Sequence, residues 1–203
     1  MADHLRARLS GLLLLAAGLA APFSHSADAP GSDVRSLCSE IGRKLGSVSV
    51  RDCLRQGLQG TGAYSVLGRP LAKKVYAPKP PKRPLGKILV IGGIHGDEYS
   101  SVSVVFKWMD ILNIHHSGLF HWHFVPLSNP DGLLRKKSQR QNENRVDLNR
   151  NFPTSDWVDS AKDYWKSRTG RDPRRYPGPE AASEPEVAYL VKEIDEFQPD
   201  III

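Results

Sequence analysis

The order of apolar and polar positions divides the chain into alternating helices and strands. Three segments have apolar residues at helical spacing, namely 34–60, 99–113 and 184–197. Residues 87–91 form the continuous apolar run that is typical of a strand buried on both faces, and residues 119–127 and 200–203 are predicted to be two further strands. Strands and helices that alternate in this way predict an α/β fold, with an open sheet covered by helices on both faces.

The segments between these elements show weaker patterns. Residues 64–67 and 71–76 predict a short hairpin, and the prolines of residues 77–84 predict an extended connector. Residues 133–183 are rich in charge, Asn and Pro, so they are predicted to be mostly loop. A sheet of this type needs more strands than are present before residue 203, so we expect the chain to be a fragment with about half of the domain.

The first 26 residues are typical of a secretory signal peptide. Arg6 and Arg8 precede an apolar run over residues 11–21, and small residues precede a cut expected after Ser26. This run is shorter than the about 20 apolar residues that span a bilayer. The sequence therefore predicts a periplasmic or secreted protein without a transmembrane anchor.

Two cysteines, Cys38 and Cys53, are the only ones in the chain. In an oxidising compartment we expect them to form a disulfide, which would join two short helices into a cap; two buried free thiols are the alternative. A loop of about 15 residues closed by a disulfide contributes roughly 3 kcal/mol. The predicted organisation is a signal peptide over 1–26, a cap, hairpin and connector over 27–84, and a sheet domain over 85–203.

The net charge of the chain indicates which classes of binding partner to expect. Lys and Arg number 28 against 22 Asp and Glu, which gives a formal net charge of +6. This mild excess suits an anionic envelope or an acidic substrate. No recognition helix or aromatic–basic module is evident in the sequence, so nucleic-acid binding is not predicted.

Candidate metal ligands follow the first buried strand. His95 and Glu98 lie where the strand turns into a helix, and ligands bind at such strand ends in open α/β sheets. Imidazole and carboxylate groups suit zinc, and Asp97 could hold one of the two in place. Taken alone, this His-x-x-Glu pattern occurs by chance, and a capping Glu beside a loop-bonded His would explain it as well.

Two further motifs follow along the chain. Residues 129–132, Asn-Pro-Asp-Gly, end the second buried strand and by themselves predict only a turn. Asn149 and Arg150 join an amide to a planar guanidinium, a pair that can hold a carboxylate through several hydrogen bonds. A lone arginine in a loop, however, is most often a solvated charge.

The combination is more specific than its parts. Four motifs follow in order: His-Gly-Asp-Glu at 95–98, Asn-Pro-Asp-Gly at 129–132, Val-Asp-Leu-Asn-Arg-Asn-Phe-Pro at 146–153 and Gly-Pro-Glu-Ala-Ala-Ser-Glu-Pro-Glu at 178–186. This order resembles the zinc metallocarboxypeptidases, and among them the bacterial branch of the murein peptide amidases, which cut the γ-D-glutamyl–diaminopimelate bond of cell-wall peptides. The resemblance covers residues 85–203. It implies a three-layer α/β/α mixed sheet, here incomplete, in the N-terminal part of a catalytic domain.

The resemblance also implies roles for individual residues. His95 and Glu98 would be two of three ligands to one Zn²⁺, and Arg140 would stabilise the oxyanion at the scissile carbonyl. Asn149 and Arg150 would hold the terminal carboxylate of the substrate. The family's third ligand, a His, and its general base, a Glu, would follow Ile203. These 203 residues alone are therefore expected to bind zinc poorly and to hydrolyse nothing.

Some features depart from the family pattern or leave alternatives open. Arg145 stands where a small residue such as Gly is expected. His121 and His123 share one face of a strand, where a hydrogen-bonded structural role is favoured over metal binding. The alternative functions are a general carboxypeptidase, a deacylase of N-acyl amino acids and, from another class, a non-catalytic envelope-binding or peptidoglycan-binding module.

Overall fold

A computed structural model describes residues 32–79 and 83–203. Its helices and strands alternate along the chain much as the apolar pattern predicts. In chain order the elements are α1 (Ser32–Lys44), α2 (Val50–Arg55), β1 (Gln59–Tyr64), β2 (Pro70–Tyr76), β3 (Gly86–Ile91), α3 (Tyr99–His115), β4 (Phe120–Val125), α4 (Pro130–Leu134), α5 (Trp157–Ser167), α6 (Pro185–Phe197) and β5 (Ile201–Ile202). Short 3₁₀ helices cover Leu148–Arg150 and Pro173–Arg175.

The described strands form one open mixed sheet with the order β1-β2-β4-β3-β5. The pairs β1–β2 and β2–β4 are antiparallel, whereas β3 is parallel to both β4 and β5. The β3–α3–β4 unit is a parallel crossover, and it places the carboxyl ends of β3 and β4 at the same edge of the sheet.

Successive strand residues face opposite sides of the sheet, and each side has its own core. Ala72, Val90 and Phe124 face α1 and α3, in a cluster that includes both cysteines. The neighbouring residues Leu71, Leu89 and Val125 face α6 and pack against its Tyr189, Leu190 and Phe197. Helices therefore cover both faces of the sheet, which confirms the predicted three-layer α/β/α arrangement.

The predicted disulfide is present between Cys38 of α1 and Cys53 of α2. Both cysteines are fully buried. A capping box at Ser49 and Asp52 begins α2, since each side chain bonds the backbone N–H of the other. The N-terminal segment is thus a two-helix cap, joined to the sheet through β2, which pairs with β4.

Two sequence predictions were wrong in position. The second of the two helices predicted within 34–60 ends at Arg55, and the first hairpin strand lies at 59–64 rather than 64–67. Gly57, with a φ of +61°, ends the helix because other residues rarely adopt that conformation. The strand that follows carries two glycines and a threonine, so it has no apolar alternation to read.

The segment 133–183 contains a helix that the sequence analysis assigned to loop. This helix, α5, is largely exposed and charged, and Trp157 is its only buried residue. Trp157, Ala161 and Tyr164 do lie at helical spacing, and they face a common pocket. That spacing is the signal that could have revealed the helix.

The predicted signal peptide over residues 1–26 lies outside the described residues, as does part of the connector. Among the residues that are described, no helix is long and apolar enough to cross a membrane.

Candidate active site

Close backbone packing positions His95 after β3. Gly93 has a φ of +60°, and a Cβ on Gly96 would stand 2.2 Å from the carbonyl carbon of Gly132. Asn129 joins the same segments, because its amide nitrogen donates to the carbonyl oxygens of Ile94 and Arg140. Asn-Pro-Asp-Gly is therefore more than a turn: it connects the ends of β3 and β4 to the loop that carries Arg140.

The imidazole of His95 lies between two carboxylates. Its Nδ1 is 3.0 Å from Glu98 Oε1, and its Nε2 is 3.0 Å from Asp147 Oδ1. His95 and Asp147 are buried, whereas the Glu98 side chain is 49% exposed. One ring nitrogen is thus held inside the protein, and the other faces the solvent side with a carboxylate beside it.

The donors and acceptors of His95, Glu98 and Asp147 are arranged in a way that fits a bound cation. A neutral imidazole has one N–H. In His95 this N–H is at Nε2, where it donates a hydrogen bond to the buried Asp147 carboxylate. Nδ1 and Glu98 Oε1 are then two acceptors facing each other, which a metal ion can satisfy by binding both. This is the donor set of a zinc site whose histidine is oriented by a second carboxylate. In the described part of the chain, no group of three His, Cys, Asp or Glu residues is placed to hold a metal ion.

Arg140 shares the carboxylate that orients His95. Its Nε donates to Asp147 Oδ2 at 2.9 Å, and its Nη1 lies 3.4 Å from Glu98 Oε1. Burial by itself would raise the pKa of Asp147, but the hydrogen bonds from His95 and Arg140 outweigh burial and lower it. Asp147 therefore stays ionised and fixes an imidazole and a guanidinium at once.

Buried polar contacts hold the loop between Arg140 and Asp147. The Asn142 amide donates to Glu184 at 2.6 Å and to Glu186 at 3.1 Å. Glu186 is fully buried, and burial raises its pKa to about 7. Glu184 and Glu186, at the end of the acidic motif 178–186, thus anchor the loop of the site from buried positions.

Asn149 and Arg150 lie on the 3₁₀ helix that directly follows Asp147. Both are exposed, and both line a pocket of about 460 Å³ with Trp157, Tyr164 and Trp165. The Arg150 carbonyl oxygen accepts a 2.7 Å hydrogen bond from the Trp157 indole. An amide and a guanidinium at an aromatic-lined pocket can hold a carboxylate and the apolar group next to it.

The comparison with protein families agrees with this geometry. A family model described as zinc carboxypeptidase matches residues 61–203. The chain belongs to the zinc carboxypeptidase family. The match begins within β1, upstream of the predicted boundary at residue 85.

Curated relatives of this zinc carboxypeptidase chain share a single name. Murein peptide amidase A of Escherichia coli is 37% identical over 149 residues, which cover 71% of this chain and 57% of the relative. Murein peptide amidase A of Vibrio campbellii is 32% identical over 144 residues, covering 68% and 53% respectively. The chain spans about half the length of the curated relatives it matches.

A solved structure supports the fold. Bovine thrombin-activatable fibrinolysis inhibitor aligns with a TM-score of 0.55 at 19% identity, covering 74% of this chain and 54% of the other. At this level of identity the likeness concerns the carboxypeptidase fold alone.

The structure brings together three of the five residues that the sequence analysis selected. His95, Glu98 and Arg140 converge around Asp147, whereas Asn149 and Arg150 lie beside them in the aromatic pocket. Asp97 does not contact His95; its carboxylate pairs with Arg174 at 2.8 Å. Asp147 takes the orienting position instead, and it was missed because it lies 52 residues from His95 in the chain.

His121 and His123 lie away from this zinc carboxypeptidase site. His123 bonds Glu193 and stacks on Phe197, and the His121 ring packs edge-on against both His123 and Phe197. Lys73 also donates to Glu193, at 2.8 Å. These contacts are those of a packed, hydrogen-bonded cluster, the role that the sequence analysis favoured.

Proposed function

We propose that this zinc carboxypeptidase homologue is a zinc-dependent hydrolase that cleaves an amide bond near the carboxyl end of murein peptides. The observation that carries the proposal is the placement of His95 between Glu98 and Asp147, with Arg140 on the same carboxylate. Two relatives that cover more than two thirds of the chain are named murein peptide amidase A, which supports the substrate class.

The residues of the site have different roles in the proposed hydrolysis. His95 Nδ1 and Glu98 would hold one zinc ion, which when bound activates a water molecule and polarises the scissile carbonyl. Asp147 holds His95 in the required tautomer by accepting a hydrogen bond from its Nε2–H. The Arg140 guanidinium lies beside Glu98, where it stabilises negative charge that develops on the carbonyl oxygen.

The substrate is oriented by the neighbouring pocket. Asn149 and Arg150 donate hydrogen bonds to its terminal carboxylate, and the aromatic residues of α5 contact the adjoining side chain. A third metal ligand and a general base are required in addition, and no third ligand converges on His95 among the described residues. We therefore propose that residues 1–203 alone are inactive.

Substrate competition in the full-length zinc-loaded enzyme tests this function. A muropeptide with a γ-D-glutamyl–diaminopimelate bond, a plain L-peptide and an N-acyl amino acid are compared by mass spectrometry of the products. Release of diaminopimelate with the highest kcat/KM supports the murein function. Faster release of a C-terminal residue from the L-peptide indicates a general carboxypeptidase, and faster deacylation indicates a deacylase. Binding of the muropeptide without hydrolysis indicates a binding module.

We also propose that the protein works in the periplasm or outside the cell. The basic start and apolar run before Ser26 support this placement, and so does a disulfide between two buried cysteines. Mass spectrometry of the protein from its own cells is expected to find a mature N-terminus at Ala27. An intact Met1 in a cytosolic fraction would contradict it.

A further inference from the structure

A cationic groove lies next to the candidate active site. It measures about 560 Å³, and five of the residues that line it are basic. These five residues, Arg135, Lys136, Lys137, Arg145 and Arg174, define the groove from here on. No carboxylate lines it, although acidic residues are nearly as frequent as basic ones in the chain as a whole.

Neighbouring carboxylates neutralise only part of this charge. Arg135 pairs with Glu143 at 3.6 Å, and Arg174 pairs with Asp97 at 2.8 Å. Lys136, Lys137 and Arg145 have no ion-pair partner among residues 32–79 and 83–203. Three exposed cations thus face one cavity, where their mutual repulsion favours the binding of an anion.

Hydrogen bonds from other segments hold the backbone of the loop that carries these cations. Lys44 of the disulfide-linked cap donates to the carbonyl oxygens of Arg135 at 2.8 Å and Lys136 at 3.2 Å. Ser138 donates to the Leu133 carbonyl oxygen at 2.7 Å. The Lys136 and Lys137 side chains are exposed. These hydrogen bonds hold the backbone from which the groove cations extend.

Arg145 supplies a second, independent observation. Its φ is +62°, a left-handed conformation that costs a residue with a Cβ about 1 kcal/mol and that glycine adopts freely. It is also the position where the sequence analysis expected a small residue. A long cation therefore occupies a strained backbone position at the groove, and such strain tends to persist where the side chain has a function.

The groove adjoins the reacting groups but is separate from the carboxylate pocket. Gln139, which also lines it, precedes Arg140, and Arg174 contacts Asp97 next to Glu98. The groove shares no lining residue with the pocket of Asn149 and Arg150. An anion in this groove would belong to another part of the same substrate molecule.

We propose that the cationic groove is a second anion-binding subsite, which selects peptides carrying additional carboxylates away from their terminal carboxylate. This proposal rests on the proposed hydrolase function, because it concerns the substrate of that site. The exposed cations Lys136, Lys137 and Arg145 would bind the additional carboxylates, while Asn149 and Arg150 hold the terminal one. Acidic peptides would therefore bind at two separate points.

Paired peptides test the groove in the full-length zinc-loaded enzyme. Two non-cleavable peptides have the same terminal carboxylate and a methylene in place of the scissile amide, and they differ by two Glu or two Gln residues on the acyl side. Fluorescence anisotropy at low ionic strength is expected to show about fivefold tighter binding of the Glu peptide, the effect of two or three exposed charge pairs. In the double variant K136A/K137A this preference is expected to fall below about twofold.

The matched control is R51A/K107A, which also removes two exposed cations, at α2 and α3, that have no ion-pair partner in the described part of the chain. It is expected to keep the full preference. Equal binding of the Glu and Gln peptides by the wild-type enzyme, or a preference that survives in K136A/K137A, would overturn the proposal. Displacement of both peptides alike by tripolyphosphate, with no Glu preference, would place a free polyanion in the groove and overturn it as well.

Cleavable versions of the same peptides separate this proposal from the function on which it rests. K136A/K137A is expected to raise KM for the Glu peptide about threefold and to leave kcat for the Gln peptide unchanged. If the wild-type enzyme cleaves neither peptide, the hydrolase function fails, while the anisotropy comparison still decides whether the groove binds acidic peptides.

Discussion

A single buried carboxylate, that of Asp147, holds both His95 and Arg140. One of its oxygens accepts a hydrogen bond from the imidazole and the other from the guanidinium, so a single carboxylate orients both partners. The carboxylate is fully buried, and the 3₁₀ helix that begins after it also places Asn149 and Arg150. The geometry of ligand, oxyanion cation and carboxylate pocket therefore depends on one residue that touches no substrate.

The Asp147→Asn variant is expected to lower kcat/KM of the full-length enzyme about 10- to 100-fold. An amide has one acceptor oxygen, so either His95 or Arg140 loses its partner. The measurement is a Michaelis–Menten comparison with wild type, with zinc content determined for both proteins. Asp159→Asn, at an exposed position of α5, is the control and is expected to have no effect. Wild-type kcat/KM in the Asp147 variant would contradict the positioning role.

Glu186 makes stability depend on pH in the neutral range. Burial raises its pKa from 4.5 in the unfolded chain to about 7 in the folded protein. The stability associated with this group is therefore fully present below pH 4.5 and is lost as the pH rises through 7. Glu186→Gln removes this titration. The free energy of unfolding of the variant minus that of wild type is therefore expected to rise by up to about 3 kcal/mol from pH 5 to pH 8. Urea unfolding at both pH values measures this difference.

Glu193 supplies a control of opposite sign. Burial would raise its pKa, but hydrogen bonds from His123 and Lys73 outweigh burial and hold the pKa at about 2. The stability associated with Glu193 is present above pH 4.5 and is lost as the pH falls through 2. Glu193→Gln is thus expected to destabilise the protein at pH 7. A Glu186→Gln effect that does not change between pH 5 and 8 would refute the assignment of that group.

Arg145→Gly is expected to raise the free energy of unfolding by about 0.5 kcal/mol. Relief of the left-handed strain, about 1 kcal/mol, exceeds the entropy that glycine adds to the unfolded chain. Thermal and urea unfolding of the two proteins give the difference. Arg145→Ala, which keeps the strain and removes the same charge, is expected to gain nothing, and a stabilised alanine variant would disprove the backbone explanation.

Among the elements, the two-helix cap depends most on a covalent bond. The disulfide of Cys38 and Cys53 spans a sequence separation of 15 residues. Its removal in the double variant C38A/C53A is expected to lower the free energy of unfolding by about 3 kcal/mol. Urea unfolding with and without reductant measures this. The reductant should shift the wild-type midpoint and leave the double variant unchanged; an equal response of both would rule out the disulfide as the cause.

The elements also differ in how far the sequence could predict them. β3 carries a continuous apolar run, β4 alternates aromatic residues with His121 and His123, and α3 has a buried apolar stripe. β1 and α5 lie mostly at the surface, where selection for apolar residues is weak. Because few of their residues are buried, β1 has no regular pattern of apolar residues and α5 has only a weak one, so their bounds could not be predicted.

The same contrast holds for the site. His95 and Glu98 lie three residues apart, so a local motif predicts them. The contact of His95 with Asp147 joins residues 52 apart, and the groove cations come from the loop after α4 and from the 3₁₀ helix at Pro173–Arg175. Ligands that lie on one turn can be predicted from their spacing in the chain. Residues that are far apart in the chain come together only through the topology of the sheet.

For the molecule as a whole, purified residues 1–203 are expected to bind zinc poorly and to hydrolyse no peptide. Within residues 32–79 and 83–203 no third ligand joins His95 and Glu98, and catalytic zinc sites use three protein ligands. Native mass spectrometry reports bound zinc, and a muropeptide assay reports turnover, with the full-length enzyme as the positive control. Turnover close to that of the full-length enzyme would refute the expectation.

The two sides of the sheet become complete at different times when the chain is synthesised from its N-terminus. Once β4 has emerged, α1 and α3 are already present to cover one side. The other side, with Leu89 and Val125, has no cover until the whole of α6 has followed the long loop and α5. A half-made chain therefore carries one finished core and one bare apolar surface, and the interval before α6 emerges is when it is most exposed to aggregation.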